Sequence, residues 1–183
     1  MTKIINNITD IMHDYDVYIL DQWGVMHDGS SGYNHAIKSV SKLISENKRL
    51  IIISNTSSRK SFSYSRLSPL GFDKNHFIEL MTSGEMIWQE LSNSINNYGD
   101  NLKNCFHIFD ASKKESLDFR KGLNNLNFVN DIQNANFILA CTPFKNMEPV
   151  DYIPILKNAL ERNLIMFCAN PDYVTIEKNI VKN

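Results

Sequence analysis

Cysteine is scarce and poorly placed for pairing: Cys105, Cys141 and Cys168 form an odd set with no C-x-x-C spacing. That excludes a disulfide framework and a paired-cysteine redox or zinc motif. Each cysteine lies in an apolar, strand-like run, where a free thiol behaves as a small buried hydrophobe. All three are therefore expected to be reduced core residues, in a cytoplasmic protein. An excess of either charge is lacking too. The 19 Lys+Arg stand against 20 Asp+Glu, a net charge of −1, and broad binding to a nucleic-acid backbone needs clustered Lys and Arg. No apolar run approaches the roughly 18 residues of a membrane span. The first seven residues carry one Lys and are soon interrupted by Asn, Asp and His, unlike a secretory signal. Neither nucleic acid nor membrane is an expected partner. There is no G-x-x-x-x-G-K-[ST] loop and no G-x-G-x-x-G, which disfavours P-loop enzymes and Rossmann dehydrogenases. The five histidines, His13, His27, His35, His76 and His107, have no metal-ligand spacing and are expected in ordinary surface or core roles.

What is present is an alternation of strand and helix. The chain is 43% hydrophobic and 21% charged, a globular composition. At this length it buries enough surface to need no staple. Val17-Tyr18-Ile19-Leu20 is a short apolar run ending at Asp21, and Leu50-Ile51-Ile52-Ile53 is a second ending at Ser54-Asn55. Both read as buried parallel strands. Between them Ala36, Ile37, Val40, Leu43 and Ile44 recur at helical spacing, with Asn34 as the expected N-cap. The polar stretch after Asn55 reads as a loop and a helix containing Phe62, Tyr64 and Leu67. Thr82-Ser83-Gly84-Glu85 has the form of a capping box opening a helix through Met86, Ile87, Leu91 and Ile95. Asn93 to Asn104 is turn-rich and reads as a domain boundary. Further strands are expected at Cys105–Phe109, Phe137–Cys141 and Leu164–Cys168, the last of them buried, and a helix capped by Asp151 precedes it.

In open parallel sheets ligands collect beyond the carboxyl ends of the strands. The first strand delivers Asp21-Gln22-Trp23-Gly24, and the second delivers Ser54-Asn55-Thr56-Ser57. If the two are neighbours, a carboxylate, hydroxyls, an amide and a glycine-relieved backbone share one crevice. That set suits a phosphate ester with a divalent cation: Asp21 as nucleophile, Ser54 and nearby N–H groups on the phosphoryl oxygens. An Asp after a strand is also a common turn or cap residue, and Ser-Asn a common loop opening. Periodicity alone leaves both readings open.

At these residues the chain resembles the haloacid dehalogenase (HAD) superfamily, and within it subfamily IIA, the para-nitrophenyl-phosphatase-like group with a large α/β cap. Tyr18-Ile19-Leu20-Asp21-Gln22-Trp23-Gly24-Val25 is similar to the first motif of that family, and Ile51-Ile52-Ile53-Ser54-Asn55 to the second. His27-Asp28-Gly29, Thr82-Ser83-Gly84-Glu85 and Ala169-Asn170-Pro171-Asp172 extend the likeness. The resemblance implies an α/β HAD-like fold, a Rossmann-like three-layer parallel-sheet core with an inserted cap. Residues 1–84 would be the N-terminal half of the core, 85–169 the cap, and 170–183 a return segment. It further implies a Mg²⁺-dependent phosphatase acting on a small phosphorylated metabolite through an aspartyl-phosphate on Asp21. Asp21 and the backbone carbonyl of Trp23 would ligate the metal, and Gly24, Ser54 and Asn55 would hold the phosphate. The cap would close over the site and choose the leaving group, and a homodimer through the cap is allowed for.

Two departures bear on activity. The family's usual phosphatase motif places a second Asp two residues after the nucleophile as general acid–base. Here Trp23 stands there, and an indole cannot exchange a proton in that way. His27 and Asp28 are the neighbouring substitutes, with structural loop roles favoured for both. The later motifs, a Lys in Gly-Lys-Pro context and a Gly-Asp-x-x-x-x-Asp, do not appear before Asn183, although Lys178 and Lys182 do. The chain is therefore expected to be part of a longer protein, weak in Mg²⁺ binding and poorly active. A non-catalytic phosphate- or partner-binding module on the same fold is the alternative. A receiver-like phospho-acceptor domain, which needs an acidic pair on the first strand, ranks last.

Overall fold

The computed structural model describes residues 4–93, 98–172, 175–177 and 180–182. It divides into two compact units. The first comprises Met1–Ser54 and Lys60–Thr82, the second Asn55–Arg59 and Ser83–Asn183.

In the first unit β1 (Val17–Leu20), α1 (Asn34–Ser45), β2 (Arg49–Ser54), α2 (Lys60–Leu67) and β3 (Phe77–Thr82) follow in order. The three strands form one parallel sheet with β2 in the centre. β2 is β-branched from Ile51 to Ile53, which stiffens χ1 and suits a pleated, packed surface. Its alternation is visible in burial. Leu50 and Ile52 are fully buried, whereas Ile53 is 51% exposed. Ala36, Val40 and Leu43 of α1, Leu67 of α2, and Leu70 and Phe72 beyond it cover that buried face together with Tyr18, Phe77 and Leu80. The other face carries Val17, Ile19 and Ile53, each more than a third exposed. The strands expected to be wholly buried thus bury one face each. Asn34 is the first residue of α1 and not its cap; Tyr33 occupies the cap with extended backbone and makes no side-chain cap bond. Its ring instead stacks on His35, 5.4 Å between centroids.

Truncating Ile52 to Ala removes a branched side chain from the middle of this core and should cost about 2–5 kcal/mol. The same change at Ile19, 63% exposed, should stay within about 0.5 kcal/mol. Urea midpoints at unchanged slope would check both.

The second unit contains α3 (Ser83–Ser92), β4 (Asn104–Ile108), α4 (Lys114–Asp118), β5 (Asn127–Val129), β6 (Phe137–Ala140), α5 (Ile153–Glu161), β7 (Ile165–Cys168), β8 (Thr175–Glu177) and β9 (Ile180–Lys182). β5, β4, β6 and β7 form a parallel sheet in that order, and β8 pairs with β9 in an antiparallel two-stranded sheet. β4 and β6 are central, so both of their faces are covered and they read as unbroken apolar runs. Cys105, Phe137 and Leu139 pack with Leu91 of α3, Phe119 and Leu123. Phe106, Ile108 and Ile138 pack with Ala135 and with Ala159 of α5.

Three expectations are corrected in this unit. β7 is an edge strand and not a buried one, with Ile165 and Met166 nearly half exposed. Cys168 is consequently exposed, whereas Cys105 and Cys141 are buried. Asp151 acts a turn earlier than its role as cap of α5 required: it sits in a 3-10 turn, Pro149–Tyr152, and its carboxylate accepts the Glu148 N–H at 2.8 Å. Of the turn-rich run read as a boundary, the described residues 93 and 98–104 lie within this unit. Ile95 and Lys178 lie outside the described residues. Among the described residues no helix is long and apolar enough to cross a membrane.

Candidate functional site

The parallel pairing of β1 with β2, Leu20 opposite Ile52, brings the carboxyl ends of the two strands to one edge of the sheet. Ideal spacings, about 4.8 Å between strands and about 3.3 Å per residue, put the Asp21 and Ser54 backbones roughly 6 Å apart. Ser54 is the last residue of β2, opposite Thr82 of β3, and both are buried. Asp21 is the first residue beyond β1 and is exposed. One of its carboxylate oxygens, Oδ1, accepts the N–H of Gln22 at 2.8 Å, which fixes the carboxylate against its own loop.

The loop after Asp21 is held by its backbone. The buried Gln22 presents its carbonyl to the N–H groups of Val25, Met26 and His27, at 3.3, 2.8 and 3.3 Å. Gly24 turns the chain at φ +77° and donates its N–H to the His27 carbonyl at 2.8 Å. Its part in the loop is therefore the turn itself, and its N–H is already engaged. The Trp23 indole, 47% exposed, meets His27 edge-on, 5.8 Å between centroids, and lies against Gly29. A Cβ on Gly29 would collide with that ring, and at φ +90° a side chain would be strained in any case. Arg66 completes the loop by donating to the Gly29 carbonyl at 2.5 Å.

Neither substitute for the missing acid is free to serve. The Asp28 carboxylate accepts the N–H groups of Ser30 and Ser31, each at 2.8 Å, and the Ser30 hydroxyl. Those bonds, the Ser31 and Ser30 N–H groups foremost, pull its pKa down to about 2, so it has no proton to give near neutrality. His27 is buried and accepts the Gly29 N–H on Nδ1 at 3.0 Å. Burial, and then the charge of Arg66, lower its pKa against the opposing pull of Asp28 and Asp21. It is a neutral loop histidine.

Two groups at this loop are oxygen donors that a cation could use: the Asp21 carboxylate and the Trp23 carbonyl, which accepts no hydrogen bond among the described residues. Among the described residues no cluster of three His, Cys, Asp or Glu side chains could hold a metal. Magnesium is commonly bound by one or two carboxylates with waters and substrate phosphate oxygens completing the shell. The donors fit that role as a partial, weak site.

Asn55 belongs to the second unit, where its amide donates to Asp172 at 2.7 Å. In the same unit Arg59 pairs with the buried Glu85, a contact that sequence reading missed. The Thr82–Glu85 motif marked the Glu but gave no sign of a partner 26 residues away.

The pattern of the haloacid dehalogenase-like hydrolases matches residues 18–119, more than half of the chain. The chain belongs to this family. Solved structures share its fold, α/β with parallel sheets. A haloacid dehalogenase-like hydrolase from Brucella suis superposes with TM-score 0.81 at 22% identity, covering 97% of this chain and 62% of that one. The glycerol phosphate phosphatase of Mycobacterium tuberculosis, solved with calcium, superposes at TM-score 0.63 and 14% identity over 93% of this chain and 47% of that one. A p-nitrophenyl phosphatase from Archaeoglobus fulgidus does so at 0.63 and 16% over 91% and 59%. The chain thus spans about half to three-fifths of the length of these relatives. No protein of curated function matches it by sequence.

Proposed function

We propose that this chain carries the nucleophile half of a HAD-type phosphatase site for a small phosphate monoester. The observation that supports it above all is the parallel register of β1 and β2, which sends Asp21 and Ser54 to one sheet edge. In this reading the Asp21 carboxylate attacks phosphorus and the phosphoester bond breaks, leaving an acyl phosphate on Asp21 and the alcohol as leaving group. The Gln22 N–H holds the non-attacking carboxylate oxygen. The Ser54 hydroxyl and the Asn55 amide receive the equatorial oxygens, over which charge spreads in the transition state. Asp21 and the Trp23 carbonyl would hold Mg²⁺, whose chemistry is to offset repulsion between two anions. The second unit would act as the cap that selects the leaving group and excludes water.

Without an acid at position 23, expulsion of the alcohol lacks help worth typically 10²–10⁴-fold. Good leaving groups should therefore be strongly favoured. The test is a series of aryl phosphates of falling phenol pKa with Mg²⁺, and rates should rise steeply along the series. Tight phosphosugar or beryllium fluoride binding with no turnover of any member would favour the alternative, a binding module on a HAD fold; Trp23 motivates that reading.

A further inference from the structure

The segment from Asn55 to Arg59 is short and polar, and its composition alone gives it no fixed shape. It is nevertheless clasped on three sides, each time by residues of the second unit, to which it belongs. The Gly84 N–H, in the first turn of α3, donates to the Thr56 carbonyl at 3.1 Å. A Cβ on Gly84 would run into the backbone carbonyls of Ser57 and Ser58, so the helix start and the turn touch backbone to backbone. Arg59 donates through Nε to Glu85 Oε2 at 2.7 Å and through Nη2 to Oε1 at 3.3 Å. Glu85 is 3% exposed. The guanidinium carbon of Arg59 lies 3.6 Å above the Trp88 ring centroid, and Trp88 is itself fixed by donating to the Lys121 carbonyl at 3.1 Å. Asn55 is tied to Asp172, whose own N–H rests on Asn170 Oδ1 at 3.0 Å.

A bidentate Arg–carboxylate pair is directional, and stacking the guanidinium on an indole removes the remaining freedom of its plane. The carboxylate is buried, so losing its partner would leave an uncompensated charge inside. A cost of that size is out of proportion for holding a five-residue surface turn, unless the shape of the turn matters. The turn follows Ser54 directly and carries an amide, three hydroxyls and successive backbone N–H groups, of which the Ser58 N–H already meets Thr56 Oγ1 at 3.4 Å.

We infer that Arg59 and Glu85 are positioning residues: their ion pair, stacked on Trp88, holds the Asn55–Ser58 turn in the shape that receives a phosphoryl group. The inference rests on the phosphatase reading of Asp21 and Ser54. Neither side chain touches the reacting atoms in this account. They act through the backbone of the turn, because donors set in place beforehand need no reorganisation when charge develops.

The experiment uses the full 183-residue chain, with Glu85→Gln and, as the gentler change, Arg59→Lys. Hydrogen exchange at Ser57, Ser58 and Gly84 reports the clasp, and the amides of β4 and β6 report whether the unit is folded. Titration with inorganic phosphate, with and without Mg²⁺, reports the receiving site. In Glu85→Gln, exchange at these three amides should quicken at least tenfold and phosphate binding weaken at least fivefold, with β4 and β6 unchanged. Arg59→Lys should show the same pattern at smaller size. Turn amides that exchange at wild-type rates would overturn the inference. So would a loosened turn with unaltered phosphate affinity, since the pair would then be structural only. A wild-type chain that ignores phosphate while the variant turn loosens would uphold the clasp and overturn the phosphatase reading instead.

Discussion

Asp21→Asn should lower aryl-phosphate turnover on the order of 10³-fold or more, the scale at which a nucleophile that works with other groups fails when removed. The fold should not notice. Asn keeps an oxygen acceptor for the Gln22 N–H, now met at 2.8 Å by the carboxylate, and the position is exposed. The unfolding free energy should therefore stay within about 0.5 kcal/mol of the parent. On the proposed reading, what the change removes is the negative charge that would attack phosphorus and the better of two oxygen donors for a cation. Without an acid at position 23 the starting rate would already be reduced, so the comparison belongs on the most activated ester of the series, where leaving-group protonation matters least. Equal rates in the two proteins would take Asp21 out of the mechanism. A parallel loss in Ser54→Ala, smaller by one to two orders, would fit removal of a single oxyanion donor.

The elements that carry this site are those whose sequence signal is local. Val17–Leu20 and Leu50–Ile53 are apolar runs closed by Asp21 and by Ser54-Asn55, and a parallel β-α-β reading follows from the helical spacing between them. β3 escaped because Phe77-Ile78-Glu79-Leu80 breaks the alternation at Glu79. The ladder itself slips there, at a bulge beside Leu50 and Ile51. The strand then runs into the capping box with no turn residues to mark its end. β5 has three residues, too few for any periodicity. Long-range pairings left no trace at all. Asn55 and Asp172 stand 117 positions apart, and only the fold brings them together. The motif residues were thus legible one by one, whereas their clamps were not. Nor does residue type reveal engagement. Gly24 and Asp28 look available in sequence, yet the N–H of one and the carboxylate of the other are consumed by their own loop.

Acid should destabilise the second unit through a histidine that plays no part in the chemistry. His107 lies in the middle of β4, 3% exposed, stacked on Phe109 at 4.4 Å between centroids, with Phe119 and Phe128 beside it. Its Nδ1 accepts from Arg120 Nε at 3.1 Å, and its Nε2 is buried with no partner among the described residues. The Arg120 guanidinium is itself pressed over Phe109 and Phe128, 4.2 and 4.5 Å from their centroids. Nδ1 is occupied by a donor, so a second proton would evict Arg120 and place two cations among aromatic rings. Burial first, and the charge of Arg120 second, push the His107 pKa down to about 3. The thiols of Cys105 and Cys141, held up at about 12 by burial, stay neutral and offer no compensation. The unfolded chain takes up this proton near pH 6.5 while the folded chain refuses it until about pH 3, so stability falls as pH drops through that window. For one such group the loss between pH 7 and pH 5 is about 2 kcal/mol. His107→Gln keeps an acceptor for Arg120 and titrates nowhere in the range. Urea unfolding at half-unit steps from pH 7 to 5, above the range where ordinary carboxylates dominate, should show a flatter stability profile in the variant by about that amount. Parallel profiles would mean that His107 accepts its proton in the folded state, which the packing around it forbids.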